Sequence, residues 1–227
     1  MDLGLTDHVA LVVGGTGLIG GAVVERLRAE DASVVVASRH PVDGSVMLDA
    51  SSDHSVRAAI DLVIRDHGRI DVLVVAAAPA AQTLDQAKSS DPAQVLGAID
   101  AKAMTFLRVA NAVVPGMRNH GFGRIVVISG QNALLTGNAT GTVRNAATIL
   151  LAETLADELA GTGVTVNAVN PGTVTNTPHS DVQPGRGGDS TPKQVADLVA
   201  FLCSPVSALS GESVAVGHRV LGVTSLW

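Results

Sequence analysis

The sequence predicts a single doubly wound α/β domain, a parallel sheet with helices on both faces, over residues 1–227. Three observations predict it. Short β-branched runs alternate with helical patterns along the chain. The stretches between runs are long enough for the crossovers that parallel strands need. And three glycines, Gly14, Gly17 and Gly20, follow at once on the apolar run Val9–Val13 and open a helical pattern.

Taken in order, Val9–Val13 reads as a buried parallel strand. Gly14 then allows a tight turn, Gly17 lets a pyrophosphate approach the backbone, and Gly20 lets the next helix pack close to the sheet. Phosphates would sit on the free N–H groups at that helix's start. The helical pattern covers Gly20–Glu30. Further strands are expected at Ser33–Ala37, Ser45–Leu48, Val72–Ala76, Ile125–Ile128, Val164–Val169 and Ser213–Val216. Further helices are expected at Asp53–His67, Asp91–Met117, Thr142–Leu159 and Thr191–Leu202. Asp53 is the expected cap of its helix. Thr191 caps the last one, with Pro192 at the first helical position. Residues 178–190, with Pro184, Gly185, Gly187 and Gly188, read as a flexible loop. Repeats and a second domain are not seen.

Composition narrows the function. The net charge of −6 argues against nucleic acid, which wants a basic patch. No apolar run has the length to span a bilayer, despite a mean hydropathy of +0.35, so no membrane partner is expected. The N-terminus lacks the basic region and apolar stretch of a signal peptide. The single cysteine, Cys203, excludes an internal disulfide and suits a reducing, cytoplasmic location. No metal-ligand spacing is present. The chain has no tyrosine.

Several segments in the right order resemble the short-chain dehydrogenase/reductase family over nearly the whole chain. They are Gly14-Gly15-Thr16-Gly17-Leu18-Ile19-Gly20, Val166-Asn167-Ala168-Val169-Asn170-Pro171-Gly172, Thr191-Pro192-Lys193-Gln194-Val195-Ala196 and Leu209-Ser210-Gly211-Glu212. The glycine spacing is nearer to the family's atypical members. The resemblance implies a Rossmann-like fold, a nicotinamide cofactor and an oxidoreductase acting on a carbonyl/alcohol pair. It places the cofactor on the glycine turn, on Asp49 at the adenine, on Ala76, Ala77 and Ala78 beside the adenosine, and on Pro171, Gly172, Thr173 and Val174 at the nicotinamide carboxamide. Pro79 stands where the family has glycine, which removes an N–H. After the second strand, Ser38-Arg39 replaces the acidic residue that would bind a ribose hydroxyl. Such a pair neutralises a 2′-phosphate, so NADP(H) is the expected cofactor.

The resemblance also implies an Asn–Ser–Tyr–Lys set. The tyrosine place falls on Gly141 and the lysine place on Asn145. The serine place falls on Ser129 or Gly130, and the asparagine place on Asp100. Ser129, Asn145 and Asp100 are therefore the candidate catalytic residues. Asn145 can still bond a ribose hydroxyl. Lys102, two residues from Asp100, reads as a surface charge, and the space beside Gly141 is expected to stand open. Arg144 points about 100° away from Asn145 on an ideal helix. His179 and Asp181 in the loop, His120, His218, Gln131 and Asn132 are weaker candidates, each with a solvated or structural role as the plainer account. Losing one general acid costs a factor of about 10² to 10⁴ in rate. Little turnover of simple ketones or alcohols is then expected. Two other readings stay open: a non-catalytic NADP(H)-sensing module, and a non-redox isomerase or cyclase. The small and apolar residues of the Thr142–Leu159 pattern suggest a homodimer or homotetramer. The small-molecule substrate is not named by the sequence.

Overall fold

In the computed structural model, residues 2–78 and 83–222 are described. Seven parallel strands form one sheet in the order β3-β2-β1-β4-β5-β6-β7. They are β1 Val9–Val13, β2 Ser33–Ser38, β3 Val46–Met47, β4 Val72–Val75, β5 Gly123–Ile128, β6 Val164–Pro171 and β7 Ser213–Val216. The helices are α1 Leu18–Arg28, α2 Asp53–His67, α3 Pro92–Ile99, α4 Thr105–His120, α5 Ala139–Glu158 and α6 Pro192–Cys203.

Alternation along each strand divides the core into two layers. Leu11 and Val13 of β1, Leu73 and Val75 of β4, and Ile125 and Val127 of β5 face α2, α4 and α5. Ala10, Val12, Val72, Val74, Val126 and Ile128 face α1 and α6. Both faces are covered, so these strands read as unbroken apolar runs. Among the described residues, no helix is long and apolar enough to cross a membrane.

Element boundaries depart from expectation where local caps intervene. Ser52, not Asp53, caps α2: its hydroxyl accepts the Ser55 N–H, and Asp53 is the first helical residue. Asn138 caps α5 by accepting the Gly141 N–H at 2.9 Å, so that helix starts three residues earlier than the apolar pattern does. At α6 the Thr191–Pro192 expectation holds, and a capping box with Gln194 completes it. The expected helix Asp91–Met117 is three pieces. A π-helical turn, Asp100–Met104, joins α3 to α4.

The loop expected to be loose is stitched down instead. Val174 bridges Ser190, and the Gly188 N–H reaches the His218 carbonyl at 2.7 Å. Gly185 and Arg186 exchange backbone bonds with Leu221.

Chain order reverses at β1. β2 and β3 extend the sheet to one side, and β4 returns on the other. A crevice opens at the carboxyl ends of strands at such a reversal.

Candidate functional site

That crevice is a cleft of about 300 Å³. Its floor is the turn after β1, its walls are the ends of β2 and β4, and Asp100, Ala101 and Thr105 close it. Gly14 sits at φ +84, and a Cβ there would stand 2.7 Å from the Ala77 nitrogen. Only glycine lets the turn cross the end of β4 so closely. A Cβ at Gly20 would run into the Gly14 carbonyl oxygen. Gly20 therefore admits the turn itself, rather than bringing helix and sheet together. No side chain caps α1, whose N-cap is Gly17. The first-turn N–H groups of Leu18, Ile19 and Gly20 lack intrahelical acceptors and form an electropositive end.

At the β2 end the Thr16 hydroxyl donates to Ser38 Oγ at 3.3 Å, and Ser38 donates on to the His40 carbonyl. Arg39 is exposed on the cleft lining. Among the described residues no hydrogen bond holds its guanidinium. Across the cleft, Asp49 accepts the hydroxyl and the N–H of Ser51. These bonds, with the Arg39 charge as a smaller cause, hold its carboxyl below the usual range. Ala76, Ala77 and Ala78 line the opposite wall, and their small side chains leave the volume free. Gly15 lies within the turn. The Pro79 reading lies outside the described residues.

The second constellation differs from the expected one. Ser129 and Asn145 do come together, but the Ser129 hydroxyl donates to the Asn145 backbone carbonyl at 3.0 Å, so its proton is engaged. Asp100 does not join them. Its carboxylate accepts from Arg108 at 2.6 Å on the cleft wall. Lys102 joins them instead. Far from being a surface charge, it is 6% exposed, and its Nζ donates to Asn145 Oδ1 at 2.7 Å and to the Ser129 carbonyl at 3.0 Å. Burial, with Arg144 as a smaller cause, pushes the ammonium down to about 7. Asp100 and Lys102 point to different sides of the π-helical turn. Asp100 lines the cleft, and Lys102 faces Asn145 on α5.

Helical spacing carried a signal for this. Lys102 lies four, seven and eleven residues before Phe106, Val109 and Val113, which are buried. The lysine is on the core stripe. Gly141 is likewise not beside open space. It is buried in the first turn of α5, and a Cβ there would meet the Asn138 side chain at 3.4 Å.

Pro171 ends β6, and Gly172, Thr173 and Val174 continue it along the 188–190 segment, where the Ser190 N–H bonds the Thr173 carbonyl. A Cβ at Gly172 would press on the Gly188 carbonyl at 2.5 Å. Buried Gln131 donates to the Val216 and His218 carbonyls, which gives it a structural task, while Asn132 is exposed. His179 is exposed and pairs with Asp189 at 2.9 Å. His120 and His218 contact nearby backbone carbonyls. Asp181 is exposed beside Gln183.

Comparison with known proteins adds to this geometry. The family model described as Enoyl-(Acyl carrier protein) reductase matches residues 17–218. The chain is 31% identical to the short-chain reductase protein NovJ of Streptomyces niveus, covering 92% of each. It is 31% identical to dehydrogenase/reductase SDR family member 4 of Homo sapiens, covering 94% of this chain and 87% of that one. Among solved structures, gox2181 superposes with a TM-score of 0.81 at 26% identity, over 95% of this chain and 96% of that one. L-sorbose reductase from Gluconobacter frateurii, solved with NADPH and L-sorbose, shares the fold with a TM-score of 0.83 at 23% identity, over 99% of this chain and all of that one.

Proposed function

The chain belongs to the short-chain dehydrogenase/reductase family, and within it we propose an NADP(H)-binding oxidoreductase of a carbonyl/alcohol pair with diverged catalytic residues. One observation carries the cofactor choice. Ser38 and Arg39 stand on the cleft where a carboxylate would select a free ribose hydroxyl, and the guanidinium is exposed toward any bound phosphate.

The residues present fit this group. A Cβ at Gly14 would press on the Ala77 backbone that lines the cleft, the uncapped start of α1 suits a pyrophosphate, and the alanine wall suits an adenosine. Gly14 to Gly20 would hold the pyrophosphate, Ser38 and Arg39 the 2′-phosphate, Asp49 the adenine, and Pro171 to Val174 the carboxamide end. When bound, the group supplies a hydride donor or acceptor. With no tyrosine in the chain, no phenol stands ready to exchange the matching proton. Turnover of simple ketones is therefore expected to fall short by a factor of about 10² to 10⁴.

The reading includes a homodimer or homotetramer as the working assembly, since Leu96, Val143 and Leu150 on α3 and α5 are 67%, 40% and 48% exposed. Titration is expected to show NADP(H) binding more tightly than NAD(H). Arg39→Ala should weaken NADP(H) by about 10- to 100-fold, the loss of a charge-assisted bond, and leave NAD(H) unchanged. Equal affinities in the unmodified protein would overturn the reading.

A further inference from the structure

Two walls of the cleft are joined from behind by Arg108. This residue of α4 stands in a groove of about 460 Å³ between α2 and α4, outside the cleft lining. Its Nη2 donates to Asp100 Oδ1 at 2.6 Å and its Nη1 to the Ala50 carbonyl at 3.4 Å. Its Nε stands 3.6 Å from Asp53 Oδ1 at the start of α2. Asp100 and Ala50 both line the cleft, one on the π-helical turn and the other on the segment after β3. One guanidinium thus spans two walls, with a planar fork that a lysine lacks.

A short strand and an unusual turn explain the arrangement. β3 has two residues, so few ladder bonds hold the cleft-lining segment that follows it. Asp100 lies eight residues before Arg108. In a regular helix it would stand about 80° round from the arginine. A π-turn takes about one residue more than an α-turn, so one of each brings the two side chains into line. The π-helical turn therefore aims the carboxylate at the guanidinium. It also sets that carboxylate, half exposed, on a cleft whose proposed ligand carries phosphates. Left unpaired, the carboxylate would repel them.

We propose that Arg108 is a positioning residue of the cleft: it holds Asp100 against the Ala50 segment and cancels a negative charge that would oppose a bound dinucleotide. This deepens the cofactor reading and rests on it for the ligand. Asp100 then serves the charge balance of the cleft and not proton transfer.

The test titrates the full chain with NADP(H) and NAD(H), both anions, at low and high salt. Arg108→Met should weaken both by about 3- to 10-fold, the scale of one unit charge near a surface. Added salt should shrink that loss. Asp100→Asn keeps the shape of the side chain and should tighten both by about 2- to 5-fold. Arg108→Met with Asp100→Asn should return affinity close to the unmodified value. Arg108→Lys keeps the charge but not the span, so its loss should be smaller than that of Arg108→Met and indifferent to salt. A merely structural brace predicts a loss in every variant, at every salt concentration. Weaker binding in Asp100→Asn, or no change in Arg108→Met, overturns the proposal. Should Arg108→Met not fold, the sign of the Asp100→Asn effect and its salt dependence decide. NADP(H) selectivity with Asp100→Asn binding more weakly defeats this inference alone. Equal affinities for the two dinucleotides, with the expected pattern among the variants, defeat the NADP(H) reading alone.

Discussion

Asn145 and Lys102 form a pair in which the amide sits on α5 and the charge on the π-helical turn before α4. Placing a lysine at 145 would set two ammonium groups beside Arg144 in a buried site. Asn145→Lys alone is expected to cost about 3 kcal/mol or more, the range for an uncompensated buried charge. Adding Lys102→Asn exchanges the partners and should recover most of that loss in denaturant melts. A double variant no more stable than the single would show that the two side chains do not share a site. The same lysine makes stability depend on pH. Its folded pKa, about 7, lies below its unfolded value. Between the two, the unfolded chain binds more protons, so stability rises with pH across that window. Unmodified protein should therefore gain stability from pH 7 to 10 relative to Lys102→Met. A flat difference would contradict the burial of the charge. At Gly14, φ +84 and the approach to Ala77 leave no room for a methyl group. Gly14→Ala is expected to cost about 1–3 kcal/mol and to weaken dinucleotide binding, read by melting and titration.

Helix ends decide how the elements meet the cleft. α1 begins uncapped, which leaves its first-turn N–H groups to a ligand, whereas α2, α5 and α6 begin under Ser52, Asn138 and Thr191. At α6 the capping box closes both ways, with Thr191 accepting the Gln194 N–H and Gln194 accepting the Thr191 N–H. Thr191→Ala should lower stability by about 1 kcal/mol, read in denaturant melts. Asn138 does more. It caps α5 and its side chain also stands in van der Waals contact with the Cβ position of Gly141.

For the molecule as a whole, parallel pairing buries every central strand between two helical layers. Cys203 closes α6 inside one of those layers, fully buried, and burial pushes its thiol well above the ordinary range. The native protein should resist thiol reagents, with modification appearing only on unfolding; rapid labelling at neutral pH would contradict that packing. The exposed apolar residues of α3 and α5 belong to this scale too. Light scattering at micromolar concentration is expected to give a dimer or tetramer, and a monomer would refute that expectation.

Strands, helix order and the cofactor turn were legible from residues alone, because period-2 and period-3.6 patterns and a glycine run are local properties. Ser38 and Arg39 could be named in advance because they follow a strand, and the carboxyl ends of parallel strands share one edge; Asp49 and the three alanines were named only through the family resemblance. The chemistry beyond them was not legible. The core stripe turns Lys102 inward, but that it meets Asn145 depends on α5 packing across the π-helical turn, a contact between residues 43 positions apart. The same holds for the Ser129 proton, given to a carbonyl 16 residues away. Sequence determined the scaffold and the cleft at the strand ends, since backbone geometry builds both. Only the tertiary structure decided which side chain carries the buried charge, because side-chain partners across a core are chosen by packing and not by order along the chain.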